Sequence, residues 1–281
     1  MNLFLRLFII IIVLSLSGCN KDKDLVDPIK DTSLDLQMIE AYELGMEELK
    51  KGQALIAARK FNEAEILFPQ SKWAPRAALM SAYSYYDFTF YNEAIDEINR
   101  FLKTYPKSKR TDYAHYLKAM SYYNQIVDER KDLGPILEAK EGFQFIILNY
   151  PNSEYALDAE FKLELIEEIL AAKEMYIGRF YLKKQKWIPA INRFKNVIDN
   201  YDTTIFAEEA LHRLVEVYYK IGLEDESKKY AVTLGYNYKS GEWYENSYRV
   251  FNKDYKKIRK KKKDKKSKSL INRIKSIITN D

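Results

Sequence analysis

Three side chains of the kinds that most often carry out chemistry at neutral pH stand out: Cys19, His115 and His212. The chain contains one cysteine and two histidines. Neither histidine has a second histidine or a cysteine at the spacing of a metal site. No GxGxxG motif and no P-loop occurs, so we expect no enzyme activity, no metal and no cofactor.

Cys19 stands where an apolar run meets a polar, charged stretch. The first eighteen residues, MNLFLRLFIIIIVLSLSG, have one basic side chain, Arg6, before a block of Leu, Phe, Ile and Val. That block has the length of a signal-peptide core and is short for a membrane-spanning helix. A buried structural thiol is the alternative, but the position favours export. The sequence predicts a signal peptide over 1–18 and a polar linker over 19–32.

The residues before Cys19, Leu-Ser-Gly, resemble a bacterial lipobox. The resemblance implies cleavage before Cys19, a lipid on its sulfur and an acyl group on the new amine. Each buried CH₂ contributes about 0.8 kcal/mol, so several such chains hold a protein on a membrane almost irreversibly. Asn20 replaces the Asp that retains many lipoproteins at the inner membrane. The resemblance therefore implies an outer-membrane anchor that faces the periplasm.

The C-terminal residues carry most of the positive charge. Residues 253–281 contain thirteen basic and three acidic side chains, whereas the whole chain has a net charge of +5. We expect this lysine-rich tail to be disordered and, in an exported protein, to meet no nucleic acid. It is either a solvated tail or a basic amphipathic segment for anionic lipid or an acidic partner. Its apolar residues share one helical face: Leu270, Ile271, Ile274, Ile277 and Ile278.

The middle of the chain is a repeat. Three segments align without gaps: AIDEINRFLKTYP (94–106), AKEGFQFIILNYP (139–151) and AINRFKNVIDNYD (190–202). Each begins with Ala, has a large apolar residue four positions on, and Tyr eleven positions on. Weaker copies begin at Ala57 and Ser227. Twelve residues before the leading residue, most copies have a small residue: Gly45, Ala82, Gly178 and Val215.

This pattern resembles the tetratricopeptide repeat. The resemblance implies an all-α solenoid of five helix pairs over roughly 33–245. The aromatic markers Phe68, Tyr105, Tyr150, Tyr201 and Tyr238 are 37, 45, 51 and 37 residues apart. The second interval's extra residues fall in 124–138, where Gly134-Pro135 predicts a loop.

The third interval is fourteen residues longer than the first. The extra residues fall in 154–184, which has no Pro and only one Gly. Fourteen residues are close to four turns at 3.6 residues per turn, so a helix absorbs them and keeps its inward face. We predict one long helix of about thirty residues between repeats three and four. It joins a three-repeat half, 33–152, to a two-repeat half, 153–252.

The repeat pattern also implies which residues of each first helix face inward. In the first three repeats these positions are apolar and rich in tyrosine, whereas in the last two they include Arg179, Glu209 and His212. The tyrosines either pack only between repeats or anchor a peptide in a groove, because Tyr buries a large area at low entropy cost. The candidate groove residues are Tyr42, Met46, Tyr83, Tyr86, Tyr113, Tyr116 and Tyr123.

Four segments closely resemble the BamD family, lipoproteins of the outer-membrane β-barrel assembly machine, and in particular its alphaproteobacterial members. They are LFPQSKWAPRAALMSAYSYY (67–86), RFLKTYPKSKRTDYAHYL (100–117), YIGRFYLKKQKWIPAINRFKNVI (176–198) and LGYNYKSGEWY (234–244). The resemblance implies a non-enzymatic scaffold and receptor. Its partners would be the POTRA domains of the insertase BamA, other Bam lipoproteins and unfolded outer-membrane proteins. The basic tail lies outside the family pattern.

The same resemblance assigns roles to the two halves. It implies that the N-terminal repeats receive the aromatic-ended C-terminal signal of unfolded barrel proteins and that the C-terminal repeats bind BamA. Arg193 matches a family arginine that pairs with an acidic residue of BamA, a contact with strong directionality. The plainer hypothesis is an exposed arginine that contributes little. The alternative function is another envelope repeat lipoprotein, such as a secretin pilotin or a cell-wall enzyme adaptor.

Overall fold

The computed structural model describes residues 33–128, 133–238 and 241–252. The predicted signal peptide, the linker with Cys19 and the basic tail lie outside the described residues. Within those ranges the chain forms eleven helices and no strands. They are α1 (Leu34–Lys50), α2 (Ala54–Leu67), α3 (Ala74–Asp87), α4 (Tyr91–Thr104), α5 (Thr111–Tyr123), α6 (Gly134–Asn149), α7 (Glu154–Lys183), α8 (Trp187–Asn200), α9 (Ala207–Lys220), α10 (Glu224–Asn237) and α11 (Glu242–Phe251).

The first ten helices form the five predicted pairs, which confirms the all-α repeat fold. Four pairs are joined by only three residues, and the middle residue of each turn has a positive φ. Two of these are glycines, Gly52 and Gly222, and two are Thr89 and Gln185. In each turn two amides bond back to the preceding helix in the Schellman arrangement. Gly52 N–H, for example, donates to Leu49 O at 3.0 Å and Gln53 N–H to Glu48 O at 2.9 Å.

The aromatic markers of the repeat end the second helix of each pair. Phe68, Tyr105, Tyr150, Tyr201 and Tyr238 are the C-cap residues of α2, α4, α6, α8 and α10. The amide of Tyr150 still donates to Ile146 O at 2.8 Å, but its ψ of 48° leaves the helical region. Its ring packs against Phe145 of the same helix and His115 of α5, at 6.1 Å and 5.9 Å. The interval between successive markers is therefore the length of one repeat, measured from the end of one second helix to the end of the next.

A small residue in the first helix of a pair lets a bulky side chain of the second approach. Phe61, Phe143 and Phe194 are fully buried, as is Ile98 at the same position of its repeat. A Cβ built on Gly45 would lie 2.8 Å from the Phe61 ring, and one on Gly178 would lie 2.5 Å from the Phe194 ring. In the third pair the roles are exchanged, since Gly142 of α6 lies against Ala119 of α5.

The chain divides into two compact units, with the boundary between Ala77 and Ala78, inside α3. The first unit has a small core of Met38, Ala41, Ala64 and Ala77. The second unit contains three core clusters, which centre on Phe101, Phe143 and Phe194. No helix among the described residues is long and apolar enough to cross a membrane.

The long helix is present as predicted. It is α7, with 30 residues, and it serves as the first helix of the fourth pair. Its N-terminal part packs in the Phe143 cluster through Ala159 and Ile166, and its C-terminal part packs in the Phe194 cluster through Ala171 and Met175. One helix therefore belongs to two successive cores.

The loop predicted over 124–138 is shorter than expected. Residues 134–138 are the first turn of α6, and Pro135 occupies its opening turn. Proline is tolerated there because the first amides of a helix have no intrahelical acceptor. The Gly-Pro pair, which we interpreted as a loop signal, therefore marks the start of the helix.

Helix α11 was not predicted, and it covers part of α9. His212 is 4% exposed, its ring lies 5.2 Å from the ring of Trp243, and its Nδ1 lies 2.8 Å from Ser247 Oγ. Tyr219 packs edge-on against Phe251 at 5.5 Å. Helix α11 follows the fifth pair as the first helix of a sixth repeat would. The predicted inward residues of the fifth repeat, such as Glu209 and His212, are therefore largely buried beneath it.

Replacing Gly178 by Ala tests the close approach of α7 and α8. Ala normally stabilises a helix by about 1 kcal/mol relative to Gly, but here its Cβ would lie 2.5 Å from the buried Phe194 ring. Overpacking of this kind costs about 1–3 kcal/mol. At the middle of that range the net loss is about 1 kcal/mol, so we expect a melting temperature lower by about 2–4 °C. Gly235→Ala is the matched control, because its Cβ would lie 3.2 Å from the half-buried Tyr244 ring. Stabilisation by both variants would contradict the packing argument.

The buried His212 predicts loss of stability in acid. Burial lowers the pKa of His212 from 6.5 to about 4. Glu216 raises this pKa, and Arg213 lowers it further. The unfolded chain therefore takes up this proton at a higher pH than the folded chain. We expect the free energy of unfolding to fall as the pH drops from about 6.5 to about 4. Urea titrations of the protein and of His212→Gln should show a weaker pH dependence in the variant; equal slopes would exclude His212 as the cause.

Candidate functional site

Helices α3, α5 and α7 present a continuous set of half-buried tyrosines in the second unit. We call it the tyrosine row. It consists of Tyr83, Tyr86, Tyr113, Tyr116, Tyr123 and Tyr155. Five of these were predicted groove residues, and Tyr155 was not. The local cause is helical spacing, since residues three or four positions apart on one helix share a face.

The centre of the row is held by contacts between α5 and α7. The ring of Tyr116 stacks on Tyr155 at 4.9 Å, and its hydroxyl donates to Asp158 Oδ2 at 2.6 Å. Tyr113 lies 5.4 Å from Tyr155. Tyr116 also touches the core ring of Phe143 at 6.3 Å. Tyr116 therefore packs between α5 and α7, and part of its side chain remains at the surface.

The tyrosines at the two ends of the row contact polar side chains near the surface. Tyr83 and Tyr86 lie 6.4 Å apart, and the Tyr83 hydroxyl donates to Asp87 on its own helix at 3.2 Å. Asn124 Nδ2 donates to the Tyr86 hydroxyl at 3.0 Å. At the other end, Lys162 Nζ lies 5.0 Å from the centre of the Tyr123 ring.

The phenols of the row are neutral at physiological pH, as ordinary tyrosines are, and burial raises their pKa values further. Desolvation raises the pKa of Tyr113 far above its ordinary value, and the phenols of Tyr83 and Tyr155 add to the effect. Desolvation and the bond to Asp158 do the same to the pKa of Tyr116. The pKa of Tyr155 rises to about 12, first through desolvation and then through Glu154. A row of neutral phenols can bury aromatic and aliphatic side chains while its hydroxyls bond to a peptide backbone.

The other two predicted groove residues belong to the first unit. Tyr42 packs edge-on against Phe61 at 5.2 Å and lies 6.1 Å from Trp73. The Arg76 guanidinium lies over both the Tyr42 and the Trp73 rings, at 5.8 Å and 5.2 Å. Met46 is half-buried on the same helix. These residues form an aromatic and cationic cluster of their own.

Arg193 is anchored within the chain. Its Nη1 donates to both carboxylate oxygens of Glu174 on α7, at 3.0 Å and 3.2 Å. The Arg193 side chain remains 42% exposed, whereas Glu174 is 14% exposed. Within the described part of the chain, Nε and Nη2 make no hydrogen bond. The guanidinium is therefore fixed in direction by Glu174 and keeps one edge for a second carboxylate.

The two histidines do not form a site. His115 packs against Phe145 at 4.5 Å and Tyr150 at 5.9 Å, between α5 and α6. His212 lies beneath α11. No group of three or more His, Cys, Asp or Glu that could hold a metal occurs in the described ranges.

Sequence reasoning missed Tyr155, Asp158 and Lys162. The inward positions of repeat four were counted from Gly178, which places them on the C-terminal half of α7. The signal for the N-terminal half was available: Ala159 stands nine residues after Tyr150, as Ala114 does after Tyr105. Asp158 therefore occupies the position in α7 that Tyr113 occupies in α5.

The fold places the chain in a class of proteins, the all-helical proteins built from repeated helix pairs. The YfiO family, described as an outer membrane lipoprotein, matches residues 34–234. The chain belongs to this family of outer-membrane lipoproteins. Its matched region covers all five helix pairs almost completely.

Curated relatives agree with this assignment. The chain is 42% identical over 242 residues to the outer membrane protein assembly factor BamD of Rickettsia prowazekii (strain Madrid E), covering 86% of this chain and 94% of that protein. It is 42% identical over 211 residues to BamD of Caulobacter vibrioides, covering 75% of this chain and 69% of that protein. BamD of Neisseria meningitidis (strain Z2491) is 29% identical over 219 residues, with 74% and 82% covered. These relatives are named as assembly factors, not as enzymes.

Proposed function

We propose that this chain is a lipid-anchored scaffold and receptor in outer-membrane protein assembly. It binds a POTRA domain of the BamA insertase and the C-terminal signal of unfolded β-barrel proteins, and it contacts other Bam lipoproteins. The observation that carries the proposal is the neutral tyrosine row on a repeat scaffold whose relatives are assembly factors. The scaffold positions partners and performs no chemistry of its own.

The chemistry of the tyrosine row fits an aromatic-ended peptide. An unfolded barrel protein offers alternating apolar side chains and an unpaired backbone. Phenol rings bury the former, and hydroxyls such as those of Tyr83 and Tyr86 bond to the latter. Because the row carries no charge, it discriminates little between sequences, and this suits a receptor that serves many substrates. Tyr42 and Met46, in the first unit, are proposed to contribute to the same role.

The geometry of Arg193 supports a role in docking BamA. Glu174 fixes the guanidinium, so little side-chain entropy remains to be lost when a partner carboxylate binds. A second carboxylate at the Nε and Nη2 edge would form a bidentate pair and set the angle of the POTRA domain. The two-repeat half, 153–252, is thus proposed as the insertase side and the three-repeat half, 33–152, as the substrate side.

The membrane attachment is proposed from the N-terminal sequence. Lipid on the sulfur and amine of Cys19 would hold the mature chain at the outer membrane, with the repeats in the periplasm. The polar linker over 19–32 gives them reach from the bilayer surface. Membership of an outer-membrane lipoprotein family supports this arrangement.

Substitution of Tyr83 and Tyr86 together by Ala tests the receptor role. We expect a labelled peptide that ends like a barrel protein, in Phe, to bind about tenfold more weakly, a loss of about 1.4 kcal/mol. The melting temperature should change little, because both rings are half-exposed. Tyr122→Ala is the matched control, since Tyr122 is half-buried beside Lys118 and Glu138, away from the row. Equal losses of affinity and of melting temperature would mean that the tyrosines only pack.

Arg193 and Glu174 allow a controlled test of the BamA contact. Arg193→Ala should weaken binding of an isolated POTRA domain about tenfold or more, measured by calorimetry, and reduce co-purification of BamA from solubilised outer membrane. Glu174→Gln removes the charge of the internal pair but keeps the guanidinium, so binding should weaken less than in Arg193→Ala. If both variants lose affinity equally, the internal pair acts through the fold. Capture of a secretin or a cell-wall hydrolase in place of BamA would favour a different envelope function.

A further inference from the structure

A second concave surface runs along the middle of α7, and we call it the α7 trough. It consists of two adjoining cavities of about 620 Å³ and 530 Å³ that share Ala172 and Phe206. The wall opposite α7 is formed by the end of α5 and by residues 205 and 206 before α9. Volumes of this size are typical of ligand sites. Of the tyrosine row, only Tyr123 lines the trough.

The floor of the trough is apolar and open to solvent. Tyr176 is 50% exposed, Phe180 51% and Ile205 80%. Ile169, Ala172 and Phe206 connect these residues along the trough. Scattered exposed apolar residues are ordinary, but a contiguous patch inside a concavity is typical of a binding surface. An occupant would therefore bury several apolar side chains here.

One end of the trough is acidic. Glu168 lines it, and its Oε1 accepts the amide of Ile205 at 3.1 Å. Its Oε2 is buried and has no hydrogen-bond partner in the part of the chain that the structure describes. A buried carboxylate oxygen without a partner costs free energy comparable to a lost hydrogen bond or more. Oε2 is inaccessible to a ligand, so what Glu168 gives this end of the trough is the negative charge of its carboxylate.

The other end of the trough is basic. Lys183 is exposed, and it makes no ion pair within the described ranges. Arg179 donates to Met175 O at 3.2 Å and has only a distant carboxylate, Glu209, at 3.7 Å. Lys184 lies 5.9 Å from the Phe180 ring, at the same end. The trough thus carries opposite charges at its two ends and an apolar floor between them.

The distance between the charged ends sets the size of the occupant. Glu168 is eleven residues from Arg179 and fifteen from Lys183 along one helix. At 1.5 Å per residue these separations are about 16 Å and 22 Å. An extended peptide rises about 3.3 Å per residue. Five to seven residues of extended chain therefore span the trough.

We propose that the α7 trough binds an extended peptide segment with a Lys or Arg at one end and a carboxylate five to seven residues away. The cationic side chain lies beside the Glu168 carboxylate, the ligand carboxylate pairs with Lys183 and Arg179, and the intervening apolar side chains cover Tyr176 and Ile205. The site is independent of the tyrosine row and of its proposed role. An acyl chain would cover the floor equally well but would leave Glu168 unpaired, so charge complementarity favours the peptide.

Three labelled peptides test the proposal on the full-length protein in detergent. Each has five apolar residues, among them Phe and Leu, between two terminal charged residues, with blocked ends. The first carries Lys and Asp, the second Lys and Lys, and the third Asp and Asp. Fluorescence anisotropy should show the Lys–Asp peptide binding about fivefold or more tightly than either of the others. Equal affinity of all three would show that only the apolar floor binds and would overturn the proposal.

A charge reversal distinguishes the trough from a non-specific surface. Lys183→Glu should weaken the Lys–Asp peptide about fivefold and strengthen the Lys–Lys peptide. Glu168→Gln, which keeps the acceptor for Ile205, should weaken both peptides that contain Lys. Lys103→Glu, an exposed lysine on α4, is the control and should change nothing. The proposal would be overturned if Lys183→Glu did not reverse the preference for the Lys–Asp peptide over the Lys–Lys peptide. It would also be overturned if the variant with Tyr83→Ala and Tyr86→Ala lost binding, because the peptide would then lie on the tyrosine row.

Discussion

The close approach of two helices at one residue without a bulky side chain is the constraint on which the rest of the structure depends. Gly178 admits the Phe194 ring where any side chain would collide with it, and Gly45 does the same for Phe61. The phenylalanine ring fills the space between the two helices of a pair. It therefore fixes how far one helix is shifted along the axis of the other. Every residue on the exposed face of a first helix is placed by that displacement. The surface features are therefore consequences of buried contacts on the opposite side.

The long helix shows how this constraint tolerates an insertion. Fourteen additional residues are close to four turns, so α7 packs against two cores with the same face. A number that left a half-turn would have rotated Met175 and Gly178 away from α8. The same extension creates surface that an ordinary repeat lacks. The N-terminal turns add Tyr155 to the tyrosine row, and the turns from Glu168 onward line the α7 trough.

The repeat pattern predicted the five helix pairs, their close contacts and α7 because spacing reports buried geometry directly. It failed where structure depends on contacts outside the repeat. Helix α11 has no marker residues; it is held by His212 and Trp243, and Gly241 opens it where the Glu208 carboxylate leaves no room for a side chain. The positive φ of Thr89, a β-branched residue, was equally unpredictable. At such positions the Schellman bonds and the packing of both helices override local preference.

The two surfaces of the second unit differ in how much sequence they can distinguish. The tyrosine row consists of phenols, which are neutral at physiological pH, so the recognition proposed for it rests on area and shape. The α7 trough has fixed charges about 16–22 Å apart on a rigid helix, so it rejects a ligand whose charges are misplaced or of the wrong sign. A scaffold with the proposed function, which accepts many unfolded chains and also holds defined partners, needs both kinds of surface. The two surfaces have only Tyr123 in common, so their proposed ligands would bind without competition.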